Sequence, residues 1–227
     1  SDELDSYEVG SKQTLLGGAW AILQPLASMV ALHLFVGRGL GVADRVGEVA
    51  YPIFLYAGLL PWTFFTSAAT SAGQSLVGNA HILTKVYFPR LLLPISGTLS
   101  PLVDYALASL VLAGLMAWFG VPATASLLLL PLVVLATVAA ALSVGVFLAA
   151  LPVNYRDTKH ALPFLLQLWL FATPVIYPTT LLPESHQWLL SLNPMTGPVE
   201  LSRAAVLGTQ VDWATFASST AVSLGVL

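Results

Sequence analysis

One carboxylate stands apart in this sequence. Asp104 falls inside an apolar stretch long enough to cross a bilayer, where an ionisable group costs about several kcal/mol unless it meets a partner or water. Two roles are open for it: a station on an ion or proton path, or a structural carboxyl bonded to a neighbouring helix or standing in a wet vestibule. A relay needs more than one such group, and no second acid, base or histidine lies at the centre of another apolar stretch, which favours the structural role. Other chemistries find no constellation. His33, His81, His160 and His186 sit on different segments without ligand spacing, and cysteine is absent, so no metal site is assigned. None of Lys12, Lys85 and Lys159 follows a glycine, so a phosphate-cradling Gly-Lys-Ser/Thr loop cannot form and the chain has no usual ATP site. Asp44 and Glu48 are the only close acidic pair outside the N-terminal tail, and a solvated loop accounts for them better than a membrane transferase's metal site. No residue is assigned a catalytic role.

Two polar loops carry the remaining signal. Asn79 to Arg90 places apolar Ile82, Leu83 and Val86 on one helical face between Asn79 and Pro89, with Lys85, Tyr87 and Arg90 beside them. Such a short amphipathic helix suits either the lipid surface or a groove on a soluble partner, where apolar anchors fill the groove and flanking charge fixes the register. The second loop, Asn154 to Lys159, gathers Tyr155, Arg156 and Asp157 between two apolar runs. It is either a topogenic charge cluster or a contact for a partner.

The elements that would position these residues follow from composition. The 227 residues are 57% hydrophobic and only 8% charged, with a net charge of −3. About a quarter of a soluble domain's residues carry charge, so this is an integral membrane protein. Four of the acids lie in the first ten residues, and without them the balance is near neutral, so no nucleic-acid-binding face is expected. A helix crossing the hydrocarbon needs about 20 apolar residues. The single domain 1–227 reads as an all-α polytopic bundle of six spans, near 15–36, 49–77, 91–119, 127–151, 161–177 and 213–227, with Pro52 and Pro61 expected to bend the second. The last run is short and is read as a span whose remainder lies beyond this sequence. Residues 181–207 mix apolar residues with Pro183, Pro194, Pro198, Glu184, Glu200 and Arg203, a pattern of two short helices that dip into the interface without crossing. The 22-residue first apolar run after an acidic start does not fit a cleavable signal peptide. A cytoplasmic N-terminus puts Lys12, Lys85, Arg90, Arg156 and Lys159 inside and Arg38, Arg45 and Arg203 outside, in line with the positive-inside rule. Trp62, Phe64, Phe65, Trp118, Trp188 and Trp213 are expected mostly at outer span ends as interfacial anchors. Gly37, Gly39 and Gly41 read as turn glycines. Ser67, Ser71 and Ser75, with Ala68, Ala72 and Gly73, read as a helix-packing face rather than a polar pathway.

With these residues in view, the chain resembles the membrane subunit of type-2 ABC exporters, specifically permeases for lipid-linked polysaccharides such as O antigen or teichoic acid. The segments that carry the resemblance are Leu15-Leu16-Gly17 with Trp20 and Gln24-Pro25, Ala57 to Trp62, Ser75 to Asn79, Lys85-Val86-Tyr87-Phe88-Pro89-Arg90, Asn154-Tyr155-Arg156-Asp157, and Asn193-Pro194-Met195-Thr196. The resemblance implies a homodimer paired with two copies of a separate ABC ATPase that holds Mg-ATP, this chain binding no cofactor itself. It also implies that Asn79 to Arg90 forms a cytoplasmic coupling helix, with Tyr155, Arg156 and Asp157 near the ATPase. Residues 181–207 would be a re-entrant helix pair before the last span. The implied setting is the bacterial inner membrane, with a lipid-linked glycan moving between two permeases. Sugar faces stack on aromatic rings, so Trp62, Phe65, Tyr105, Trp169 and Tyr177 are candidate channel residues, each equally able to anchor in lipid or fill a helix interface. The alternatives are an ATP-independent secondary transporter or channel, expected to show coupling-ion sites and an internal repeat, and an integral membrane transferase acting on a prenyl-linked sugar.

Overall fold

The computed structural model describes residues 19–46, 50–78, 92–150 and 158–226. The two loop motifs, Asn79 to Arg90 and Asn154 to Asp157, lie outside the described residues. Among those described, every regular element is a helix: α1 (Ala19–Arg38), α2 (Tyr51–Gly78), α3 (Leu92–Gly97), α4 (Leu99–Phe119), α5 (Leu130–Ala150), α6 (Thr158–Ala172), α7 (Glu184–Ser191), α8 (Thr196–Leu207) and α9 (Trp213–Val226). Four stretches are long and apolar enough to cross a membrane, Ala19–Arg38, Tyr51–Ser75, Pro94–Phe119 and Ala125–Phe147. They coincide with the first four expected spans, and the chain is a multi-pass membrane protein. At the fifth and sixth positions α6 and α9 have 15 and 14 residues, about 21–22 Å of helix against a hydrocarbon core of about 30 Å.

Proline sets the breaks. Pro101 has no N–H for the Gly97 carbonyl, and the third span is interrupted there: Thr98 N–H turns back to Ile95 O at 3.0 Å, and Leu102 N–H then bonds Thr98 O at 3.1 Å to restart the helix. The fifth segment was expected to run to Tyr177 but ends at Ala172, because Pro174 biases Thr173 away from helical geometry and cannot donate. Pro61, by contrast, sits inside α2, which continues through it.

The core is built around α2, which packs against α4, α5, α6 and α8. Ile53, Leu55, Tyr56, Ala57 and Phe65 on it are fully buried. Against α5 the approach is close, since a Cβ placed on Gly145 would lie 2.8 Å from Ala72 Cβ and 3.0 Å from Ala69 O. Small residues there let two backbones meet without a driving force beyond packing. Gly37 plays a similar part where α1 meets Tyr51, whose ring would lie 2.6 Å from a Cβ at that position, whereas Gly41 takes the left-handed turn conformation at φ +67°. Of Gly37, Gly39 and Gly41, only Gly41 is therefore a turn glycine in the conformational sense.

Residues 181–207 form the two short helices expected there, and nearly every residue of α8 from Thr196 to Val206 is buried inside the bundle, against α2, α5 and α9. The aromatic anchors divide. Trp118, Trp188 and Trp213 are exposed, whereas Trp62, Phe64 and Phe65 are core residues. Trp62 and Phe65 stand 5.4 Å apart, and Phe65 meets Trp169 edge-on at 5.6 Å.

Candidate functional site

Helical periodicity sorts the residues of α2 into two faces. Ala68, Ala69 and Ala72 are buried, with Ala69, Ala72 and Gly73 set against Gly145, while Thr63, Thr66, Ser67, Thr70 and Ser71 turn the other way. Ser67 and Ser71, expected on the packing face, are therefore on the opposite side. They line a groove of about 650 Å³ between α2, α1 and α6, completed by Gln24, Ser28, Gln167 and the ring of Trp62.

The hydrogen bonding of this wall defines its chemistry. Thr63 and Thr66 donate their hydroxyl protons to Leu60 O and Thr63 O at 3.0 Å, and Thr70 donates to Thr66 O at 2.7 Å. Their oxygens are left with lone pairs only, facing the groove as acceptors. Gln24, Ser28, Ser67, Ser71 and Gln167 supply the uncommitted donors and acceptors, and among the described residues no Lys, Arg, Asp, Glu or His lines the groove. A neutral surface of this kind can exchange hydrogen bonds with many hydroxyls in turn without holding any one of them tightly. Fixed charges would bind ions or repel them.

The α6 wall of the groove ends at a buried break, and four side chains satisfy its carbonyls. Tyr177 Oη donates to Phe171 O at 3.3 Å, Asn193 Nδ2 to Ala172 O at 3.5 Å and to Thr173 Oγ1 at 2.8 Å, Arg203 Nη2 to Val175 O at 2.6 Å, and Tyr51 Oη to Ile176 O at 2.6 Å. Irregular backbone inside a bilayer needs such partners, because no water stands in for them. Arg203 is the centre of this clamp. It is 3% exposed, pairs with Glu200 Oε1 at 2.8 Å, reaches Phe54 O at 3.4 Å through Nε, and lies 3.7 Å over the Phe54 ring. Gly58 makes room for it, since a Cβ there would come within 2.9 Å of Arg203 Nη2.

Pro61 explains a further bond on the same seam. Lacking an N–H, it leaves the carbonyl of Ala57, four residues back, without its helical donor. Ser202 Oγ on α8 fills that place at 2.7 Å.

The residues singled out from sequence are distributed as follows. Trp62 lines the groove. Phe65 is fully buried and fills the α2–α6 interface. Trp169 is partly buried on the other side of that contact, and Tyr105 is buried against Phe64 with centroids 5.4 Å apart. Tyr177 belongs to the clamp through its hydroxyl. Asp104 is exposed on α4, beside Gln24, Thr63 and Ser67 at the edge of the groove. Arg203, read from sequence as an outer charge on one of the two short helices, is interior and drops out of the positive-inside balance. The available signal was an acid and a base three residues apart, Glu200 and Arg203, within a twelve-residue stretch with no other charge.

The described residues thus form a multi-pass helical bundle with a neutral polar groove on one flank. The chain belongs to the ABC-2 type transporter family, whose model matches residues 11–207. It is similar to the O-antigen export system permease protein RfbA of Myxococcus xanthus, 35% identical over 80% of this chain and 69% of the relative. It is also similar to the protein of the same name from Klebsiella pneumoniae, 26% identical over 85% and 73%, and to the polysialic acid transport protein KpsM of Escherichia coli, 27% identical over 85% and 74%.

Proposed function

We propose that this chain is the permease subunit of an ATP-driven exporter that carries lipid-linked polysaccharide across the bacterial inner membrane. The observation that carries the reading is the groove. Its hydroxyls and amides suit a passing glycan, whose hydroxyls need exchangeable partners. The names of the relatives, O-antigen export and polysialic acid transport, support the same class of cargo. Two copies of the chain face each other across this groove, each binding one copy of an ABC ATPase that holds Mg-ATP. Asn79 to Arg90 is the coupling helix, with Tyr155, Arg156 and Asp157 beside it at the ATPase. Six segments thread the membrane from a cytoplasmic N-terminus, with α7 and α8 re-entering from the outer side before α9. The short α6 reaches only as far as the clamp, so the re-entrant pair completes the outer half of the bundle. This chain carries out no chemistry; it moves cargo when the partner's nucleotide cycle displaces the coupling helix.

The test is purification of the tagged protein from its native membrane in mild detergent, with mass determination of stoichiometric partners and an ATPase assay. Co-purification of a soluble subunit with a phosphate loop, lost on replacing Lys85, Val86 and Arg90 by Ala, is the expected result. Cell-surface glycan should fall in parallel. A clean complex that lacks an ATPase would overturn the reading and favour an ATP-independent transporter.

A further inference from the structure

The polar wall of the groove favours one kind of partner over another. Thr63, Thr66 and Thr70 stand at i, i+3 and i+7 on α2, about 10 Å of one helix face. Each has donated its hydroxyl proton back into the helix, to Leu60 O, Thr63 O and Thr66 O. Toward the groove these oxygens offer lone pairs only, so they can receive a hydrogen bond but cannot give one. A sugar hydroxyl supplies the missing proton. An ionised carboxylate or phosphodiester oxygen cannot, because it too only accepts.

Charge acts in the same direction. Among the described residues no Arg, Lys or His lines the groove, so an anionic group inside it meets no countercharge in a setting where an unpaired charge is costly. The acid at the edge adds repulsion, since Asp104 shares Gln24, Thr63 and Ser67 as neighbours with the groove. We infer that the groove selects a neutral glycan and discriminates against one that carries carboxylates or phosphodiesters, with Asp104 as a specificity-determining residue. The inference rests on the reading of this chain as a glycan permease and narrows its cargo. In the facing copy the same residues repeat the same neutral wall, so the pairing supplies no basic partner there either.

The experiment is saturation-transfer difference NMR on the purified full chain in detergent micelles at neutral pH. The probes are an oligogalacturonate and its fully methyl-esterified form, which share one backbone and differ in whether the carboxyls are charged. The ester should saturate at a concentration at least about tenfold lower than the acid. Asp104→Asn should narrow that ratio by about three- to tenfold by removing one repulsive charge. Gln167→Arg, at an exposed position on the α6 wall, should narrow it by about tenfold by supplying a guanidinium. Either variant decides if the other does not fold. An acid that binds as well as the ester, or a ratio that neither variant changes, would overturn the selectivity and leave the glycan-permease reading standing. Binding of neither probe would overturn both. Selective ester binding by a chain that purifies without an ATPase would sustain the selectivity and overturn only the ATP-driven mechanism.

Discussion

Replacing Arg203 with Met keeps most of the side chain's length and apolar stem but removes the charge. The guanidinium's bonds to Glu200, Val175 O and Phe54 O are lost together with its contact on the Phe54 ring. Removing one partner of a buried pair costs about 3–5 kcal/mol, because the other charge stays behind uncompensated. Two features place Arg203→Met at the lower end. Glu200 is 29% exposed and can recover some hydration, and the unfolded chain in a membrane finds alternative partners of its own. The expected loss is therefore about 3 kcal/mol, roughly a 150-fold shift in the unfolding equilibrium. Glu200→Gln alone should cost less, and the double variant should cost less than the sum of the two by about 1–2 kcal/mol. The assay is denaturant unfolding in mixed micelles followed by tryptophan fluorescence, with Trp169 reporting on the helix that the clamp terminates. A single-variant change below about 0.5 kcal/mol, the range of ordinary surface substitutions, would refute the clamp as the stabiliser of the α6 break.

Three further outcomes can be measured in the same format. Ser202→Ala should destabilise by about 1–2 kcal/mol by leaving the Ala57 carbonyl unpaired, and the penalty should shrink in a Pro61→Ala background, where residue 61 regains an N–H; equal penalties in both backgrounds would refute the link. Gly145→Val should cost about 1–3 kcal/mol by overpacking, because its Cβ would meet Ala72 Cβ at 2.8 Å, whereas Gly114→Ala, with nothing near its Cβ, should be tolerated in expression and midpoint. Asp212 accepts the amides of Ala214 and Thr215 and the Thr215 hydroxyl at the start of α9, and these bonds hold its carboxyl below the usual range. Its contribution is therefore present above the unfolded value, about 3.9, and is lost as pH falls through the depressed native value. Asp212→Ala should cost about 1 kcal/mol at neutral pH and nothing in strong acid, and a gap that persists in strong acid would count against the cap.

Hydropathy and run length by themselves determined that the chain is a helical membrane protein, where its first four spans lie, and that two short helices precede the last segment. Those properties are sums over many residues of a local transfer free energy, so they survive without knowledge of neighbours. The family was legible too, through short motifs that lie mostly at span ends and turns. The tertiary structure decided what each polar residue does. Ser67 and Ser71 had the same spacing whether they faced α5 or the groove, and only the rotation of α2, fixed by Gly145 against Ala72, sent them to the groove. Phe65 and Trp62 are three residues apart and alike in type, yet one is enclosed by α6 and the other lines the opening. Arg203 read as an outer charge on a short helix because a buried arginine is tolerable only when distant carbonyls are left open for it. The helical break at Pro174 and the space above Gly58 are supplied by segments 28 and 145 residues away in sequence, and no local pattern around Arg203 encodes them.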